Sequence, residues 1–123
     1  MKILSFLHAK LDVVDMRRSE VFYCELLGLR EIVRYAIPRG TILQLSPTGE
    51  PPGVELWYEE PVEPTPDTKL HIAFAVDDTR AWVRYLRDKG VVVAKEPFEV
   101  GHEVIAFICD PDGYLIELNQ VKE

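Results

Sequence analysis

Four residues of this 123-residue chain have the types and the spacing to hold a divalent cation. His71 stands in the apolar run LHIAFAV, and His8 stands in LHAKLDVV. Glu55 lies in GVELWYEE and Glu117 in YLIELNQ. Two imidazoles and two carboxylates suit Zn, Ni, Fe or Mn, and three or four protein ligands leave coordination positions open for a substrate. Taken singly, a histidine in an apolar strand is more often a packed core or edge residue than a ligand. The spacing changes that reading: His8 to Glu55 is 47 positions and His71 to Glu117 is 46.

The elements that must position these residues are written twice. LHAKLDVVDMRRSEVFYCELLGL aligns with LHIAFAVDDTRAWVRYLRDKGVV on the two histidines. Asp15 and Asp78 each follow their histidine by seven residues, and Arg17 and Arg80 come two later. Phe22 and Tyr85 fall at one shared offset, and Gly28 and Gly90 agree to within one residue. Each half then ends in a Val/Ile-Glu-Leu strand. An internal duplication accounts for all of these matches together.

Each half reads as βαβββ. The histidine runs are β-rich. In the first half, Val21, Phe22, Leu26 and Leu27 approximate one helical stripe, with Asp15 as N-cap and Gly28 as the left-handed stop. In the second, Asp78 or Thr79 caps a helix whose stripe is Trp82, Val83 and Leu86, and Gly90 ends it. Strands are predicted near 30–37, 41–46 and 54–59, and again near 91–95, 102–109 and 114–121. PRG, SPTGEPPG and DPDG are the turns between them. The Pro- and acid-rich stretch around 61–68 is the predicted linker, between a first module of residues 1–60 and a second of 69–123. The fold class is α+β.

Strand alternation assigns faces. Leu70, Ile72, Phe74 and Val76 oppose His71, Ala73 and Ala75. Phe6, His8 and Lys10 oppose Leu7, Ala9 and Leu11. Glu55 and Trp57 oppose Val54, Leu56 and Tyr58, and Leu115, Glu117 and Asn119 oppose Tyr114, Ile116 and Leu118. Each half thus sets one His and one Glu on the face away from its helix. Buried carboxylates without partners are costly, and two sharing a cavity repel; a divalent cation resolves both. Lys10, Trp57, Leu115 and Asn119 share the ligand faces and are candidates to line a substrate pocket.

Bulk properties exclude several classes. Apolar residues make up 47% and charged residues 28%, a globular balance. Net charge is -7 with no basic cluster, which argues against nucleic acid as a partner. No apolar run approaches a membrane span, and the start does not read as a signal peptide, so a cytoplasmic location is expected. Cys24 and Cys109 form no C-x-x-C motif and are expected to be packing residues.

The segments FLHAKLDVVDMRRSEVFYCELLGL, VELWY, LHIAFAVDD and DPDGYLIEL resemble the vicinal oxygen chelate superfamily. That superfamily includes glyoxalase I, extradiol dioxygenases, methylmalonyl-CoA epimerase, and fosfomycin and bleomycin resistance proteins. The resemblance covers the whole chain. It implies paired βαβββ modules, each curving into half of an open barrel around a metal. It puts His8, Glu55, His71 and Glu117 on the four ligand positions, the pattern of glyoxalase I, with one divalent ion per site and Zn or Ni favoured over Fe or Mn. It implies a lyase or isomerase acting on a small substrate chelated through adjacent oxygens. The metal would stabilise an enediolate while Glu117 or Glu55 removes a carbon proton, with Glu117 favoured. Asp12 stands where glyoxalase I has an arginine for a glutathione carboxylate, and Leu70 where it commonly has glycine; both argue against a glutathione substrate. Two alternatives stay open. One is an Fe(II) ring-cleaving dioxygenase on His8, His71 and Glu117, against which Glu55 counts and for which His102 is the candidate acid. The other is a binding protein of the resistance type. A homodimer is expected, with the site inside one chain or shared between two swapped ones.

Overall fold

The computed structural model describes residues 1–66 and 70–122. Two compact units divide between Thr65 and Pro66. Asp67 and Thr68 of the predicted linker, Lys69 at the predicted start of the second module and the terminal Glu123 lie outside the described residues. Among the described residues no helix is long and apolar enough to cross a membrane.

In the first unit the order is β1 (His8–Asp12), α1 (Met16–Glu20) with a π-helical continuation (Val21–Leu26), β2 (Arg30–Ile37), β3 (Gly40–Ser46) and β4 (Gly53–Glu59). The sheet runs β1-β4-β3-β2; β1 is parallel to β4, and the other pairings are antiparallel. The second unit repeats this with β5 (His71–Ala75), α2 (Thr79–Asp88), β6 (Val93–Val100), β7 (Glu103–Cys109) and β8 (Leu115–Val121). Its sheet runs β5-β8-β7-β6, with β5 parallel to β8.

Both helices start as their sequence signals dictate. The Asp15 carboxylate accepts from the Arg18 N–H at 3.0 Å, and the Asp78 carboxylate accepts from the Ala81 N–H at 3.0 Å. Each side chain satisfies an amide that the first turn leaves unpaired. Gly28 and Gly90 end the helical segments at φ 81° and 87°, the left-handed region open to glycine. Between cap and stop the units differ. The first has one residue more, and its helix absorbs it by widening: the Leu27 N–H donates to the Phe22 carbonyl five residues back. The wide turn sends both Phe22 and Tyr23 into the core, edge to face at 4.8 Å, whereas Val21, Leu26 and Leu27 of the predicted stripe are only half-buried. In α2 the buried face is Thr79, Val83 and Leu86. Trp82 is half-buried and donates its indole N–H to Asp77.

Strand bounds match the predicted ones within two residues, with one exception. β6 starts two residues late and runs on to Val100 through Pro97. Its register against β7 slips on both sides of Lys95, and as an edge strand it tolerates a residue without an N–H. The helix-side faces supply the core: Leu11, Leu43, Leu45, Val54 and Leu56 in the first unit; Ala106, Ile108, Ile116 and Leu118 in the second.

Candidate metal half-sites

Register fixes what lies on the opposite face of each sheet. In the first unit, Lys10 pairs with Glu55 and Asp12 with Trp57 across β1 and β4, and Gln44 pairs with Glu55 across β3 and β4. In the second, Ala73 pairs with Glu117 across β5 and β8, His71 with Leu115, and Phe107 with Glu117 across β7 and β8. All eight residues singled out from sequence therefore stand on the faces opposite the apolar core of their own units: His8, Lys10, Glu55 and Trp57 on one, His71, Leu115, Glu117 and Asn119 on the other.

On each face the histidine and the glutamate meet. His8 Nε2 stands 3.4 Å from Glu55 Oε1, and His71 Nε2 stands 3.0 Å from Glu117 Oε1. The carboxylates are largely out of water, with side chains 9% and 12% exposed, while the imidazoles are about one third exposed. A desolvated carboxylate needs partners on both oxygens. The second oxygen has one in each case. Gln44 Nε2 donates to Glu55 Oε2 at 2.8 Å, and Asn119 Nδ2 donates to Glu117 Oε2 at 2.9 Å. Each amide fixes the plane of its carboxylate and leaves the oxygen nearer the histidine to share a cation with Nε2. A nitrogen and an oxygen at this separation could together hold a divalent cation. Among the described residues of neither unit do three or more His, Cys, Asp or Glu side chains converge, so each unit offers two donors.

The surroundings of the two pairs differ. Lys10 Nζ lies 3.0 Å from Asp12 Oδ1 and 4.8 Å from the centre of the Trp57 ring. Trp57 Nε1 is buried and has no acceptor among the described residues. In the second unit the Phe107 ring meets the His71 ring edge to face at 5.1 Å, and Ala73 and Ala75 leave open space beside it. Asn119 Oδ1 is buried without a donor among the described residues.

Gln44 and Phe107 were missed from sequence. Each sits on the strand beside its glutamate, and only the register identifies it. A partial signal existed: Gln44 interrupts the apolar run ILQL. His102 stands exposed in the turn between β6 and β7. Cys109 lies on the ligand face beside Leu115, and burial together with the neighbouring Asp110 charge pushes its thiol pKa up. Burial likewise raises the Cys24 thiol, with help from Glu20. Neither is an activated thiolate.

Residues 5–118 match the family model described as Glyoxalase/Bleomycin resistance protein/Dioxygenase superfamily. The chain is 32% identical to the lactoylglutathione lyase of Salmonella typhimurium over 131 aligned positions, covering 98% of this chain and 95% of that protein. It is similar in structure to the trypanothione-dependent glyoxalase I of Leishmania major, with 32% identity, TM-score 0.81 and coverage of 98% of this chain and 88% of that one. It is also similar to TnmS3, an antibiotic binding protein from Streptomyces sp. CB03234, at 27% identity and TM-score 0.81 over 99% of both chains.

Proposed function

Because the chain belongs to the glyoxalase/bleomycin resistance protein/dioxygenase superfamily, we propose that it is a divalent-metal-dependent lyase or isomerase of the glyoxalase type. The observation that carries this reading is the repeated chelating pair, His8 with Glu55 and His71 with Glu117, each with its carboxylate held by an amide. Two such pairs complete a His-Glu-His-Glu coordination sphere for one ion, Zn or Ni by preference. The pairs come together within one chain or between two copies in a homodimer.

When bound, the ion supplies a Lewis acid for two adjacent oxygens of a small substrate, so that a neighbouring C–H becomes acidic. The chain's own residues do the rest. Glu117 takes the carbon proton and returns it to the adjacent carbon, because it stands among Ala73, Ala75 and Phe107 with room beside it. Glu55 stands among the larger Lys10, Gln44 and Trp57 and stays in place as a ligand. Trp57 and Leu115 shield the reacting carbon from water. Asp12, paired with Lys10, puts a carboxylate where a glutathione carboxylate would have to be received, so the substrate is a different adjacent-oxygen compound.

Zinc titrated calorimetrically into metal-free protein tests the assignment. One tight ion per pair of half-sites is expected, and Glu55→Ala or Glu117→Ala should each weaken it by at least about a hundredfold, as loss of a direct ligand exceeds the 10–100-fold typical of a supporting residue. Undiminished zinc binding by both variants, or none by the parent protein, would overturn it. The second outcome would favour a metal-free ligand-binding protein, a reading that the likeness to TnmS3 supports.

A further inference from the structure

The second unit carries a cation on the face opposite its apolar core that the first unit lacks at the matching place. Register across β8, β7 and β6 sets Glu117, Phe107 and Lys95 in one row, and Asn119, Ile105 and Phe98 in the next. Phe107 packs edge to face on His71 at 5.1 Å, and Lys95 Nζ stands 4.2 Å from the centre of the Phe98 ring. Lys95 is exposed, and Phe98 and Phe107 are half-buried, so the ammonium and both rings have surface open to a ligand. The matching rows of the first unit are Glu55, Gln44 and Val33, then Trp57, Ile42 and Tyr35. The outer aromatic recurs as Tyr35, but Val33 stands where Lys95 would.

No carboxylate among the described residues pairs with Lys95. Its acidic neighbours on β6 are engaged elsewhere, Glu96 with Arg87 and Glu99 with Lys122. Glu103, on the same face, lies one row beyond Ile105. Lys10 of the first unit, by contrast, has Asp12 at 3.0 Å. A ring face orients an ammonium without neutralising it. A lysine on an edge strand also guards against strand pairing, but β6 already has Pro97 and two register shifts for that.

We propose that Lys95, Phe98 and Phe107 form an anion-anchored aromatic subsite, built entirely within the second unit. Its ligand has a flat apolar body lying along Phe107 and Phe98 and a single anionic group at Lys95. The inference rests on the lyase reading and names the substrate class for the part of that site around His71 and Glu117. β6 lies two strands from β8, about 10 Å at ~4.8 Å per strand, so the body spans one or two rings. The ammonium gives a carboxylate a charge-assisted hydrogen bond, and the rings give the body apolar contact. Net charge is -7, so only a local cation draws an anion here, and neither row holds a counterpart for a second one.

A matched pair of probes tests this: 2-naphthoate and 2-naphthamide, which share the ring system and differ in charge. Each is titrated into metal-free and zinc-loaded protein with ¹³C-labelled phenylalanine. The chain has five phenylalanines, and the Phe98 and Phe107 signals are assigned with Phe98→Leu and Phe107→Leu. Saturable shifts of both signals are expected. The acid should bind about tenfold more tightly than the amide, the worth of one hydrogen bond to a charged group. Lys95→Met should remove that preference and leave amide binding intact. Lys89→Met, which removes a lysine 6.0 Å from the Tyr85 ring on α2, should leave the preference unchanged. Equal affinity for acid and amide, a preference that survives Lys95→Met, or shifts that spare Phe98 and Phe107 would overturn the proposal. The metal-free titration decides it independently of zinc: a preference that persists where zinc does not bind supports this subsite and sinks the lyase reading alone.

Discussion

The two halves of the molecule hold the same donor pair by different means. In the first, the amide that fixes the carboxylate comes from the neighbouring strand, Gln44 on β3. In the second it comes from the same strand, Asn119 two residues after Glu117, while Phe107 on the neighbouring strand packs against the histidine ring. The glutamates need one oriented N–H each, and either address supplies it. What the duplication repeats faithfully is the His–Glu distance and the occupied second oxygen; the residue that occupies it is free to move. The positions left over differ in bulk: Trp57 and Lys10 on one side, Ala73 and Ala75 on the other.

That comparison breaks if the two amides are not equivalent in effect. Gln44→Met and Asn119→Leu keep side-chain volume and delete the donor. Each should lower zinc affinity about 10–100-fold, the usual cost of losing a hydrogen bond to a metal-binding side chain, and by similar factors. Phe107→Leu, which removes only a ring contact with His71, should change it far less. Competition with a chromophoric chelator measures all three. A large effect from Gln44 and none from Asn119 would mean that Glu117 is free to turn away from the ion, which would strengthen its role as the base.

Much of this was legible before the structure. The faces of His8, Glu55, His71 and Glu117 followed from strand alternation, because a period of two leaves no choice once the apolar set is assigned inward. The caps followed from Asp15, Asp78, Gly28 and Gly90, whose chemistry is local. What stayed hidden depends on pairing between distant segments. Gln44 reaches Glu55 only because β3 and β4 align at that register, and nothing in TILQLS states the register. Pro97 hid the length of β6, since a proline argues against a strand unless the strand is known to lie at an edge. The one-residue difference in helix length was visible in the offsets of Gly28 and Gly90, but not that a π turn would absorb it and bury Tyr23.

The helix stops offer a second, smaller test of equivalence. An added Cβ at Gly28 or Gly90 meets nothing within 4 Å, so alanine at either position pays only the backbone cost of the left-handed conformation. That is about 1 kcal/mol each, read as a shift in urea midpoint without change of slope. A π turn leads into Gly28 and an α-helix into Gly90. If the wide turn can relax to an α-helix when its stop is changed, Gly28→Ala will cost less than Gly90→Ala. Equal costs mean that the packing of Phe22 and Tyr23 locks it.

The smallest expected effect separates two surface ion pairs. Arg34 of β2 donates to Glu20 through two nitrogens, at 3.2 Å each, and to Glu31 at 3.0 Å, tying helix to sheet. Glu99 of β6 pairs with Lys122 just past β8, at 2.9 Å. The Lys122 hydrogen bond, and then its charge, hold the Glu99 carboxyl below its ordinary pKa. A carboxyl whose pKa is lower folded than unfolded stabilises the fold when ionised. Its contribution is therefore complete at neutral pH and disappears as pH falls through the carboxylate range. Glu99→Gln should lower the melting temperature slightly at pH 7, match the parent protein in acid, and lose its effect in high salt, since an exposed pair is screened. A difference that persists in acid would place the contribution of Glu99 in side-chain packing on the β6 edge and not in its charge.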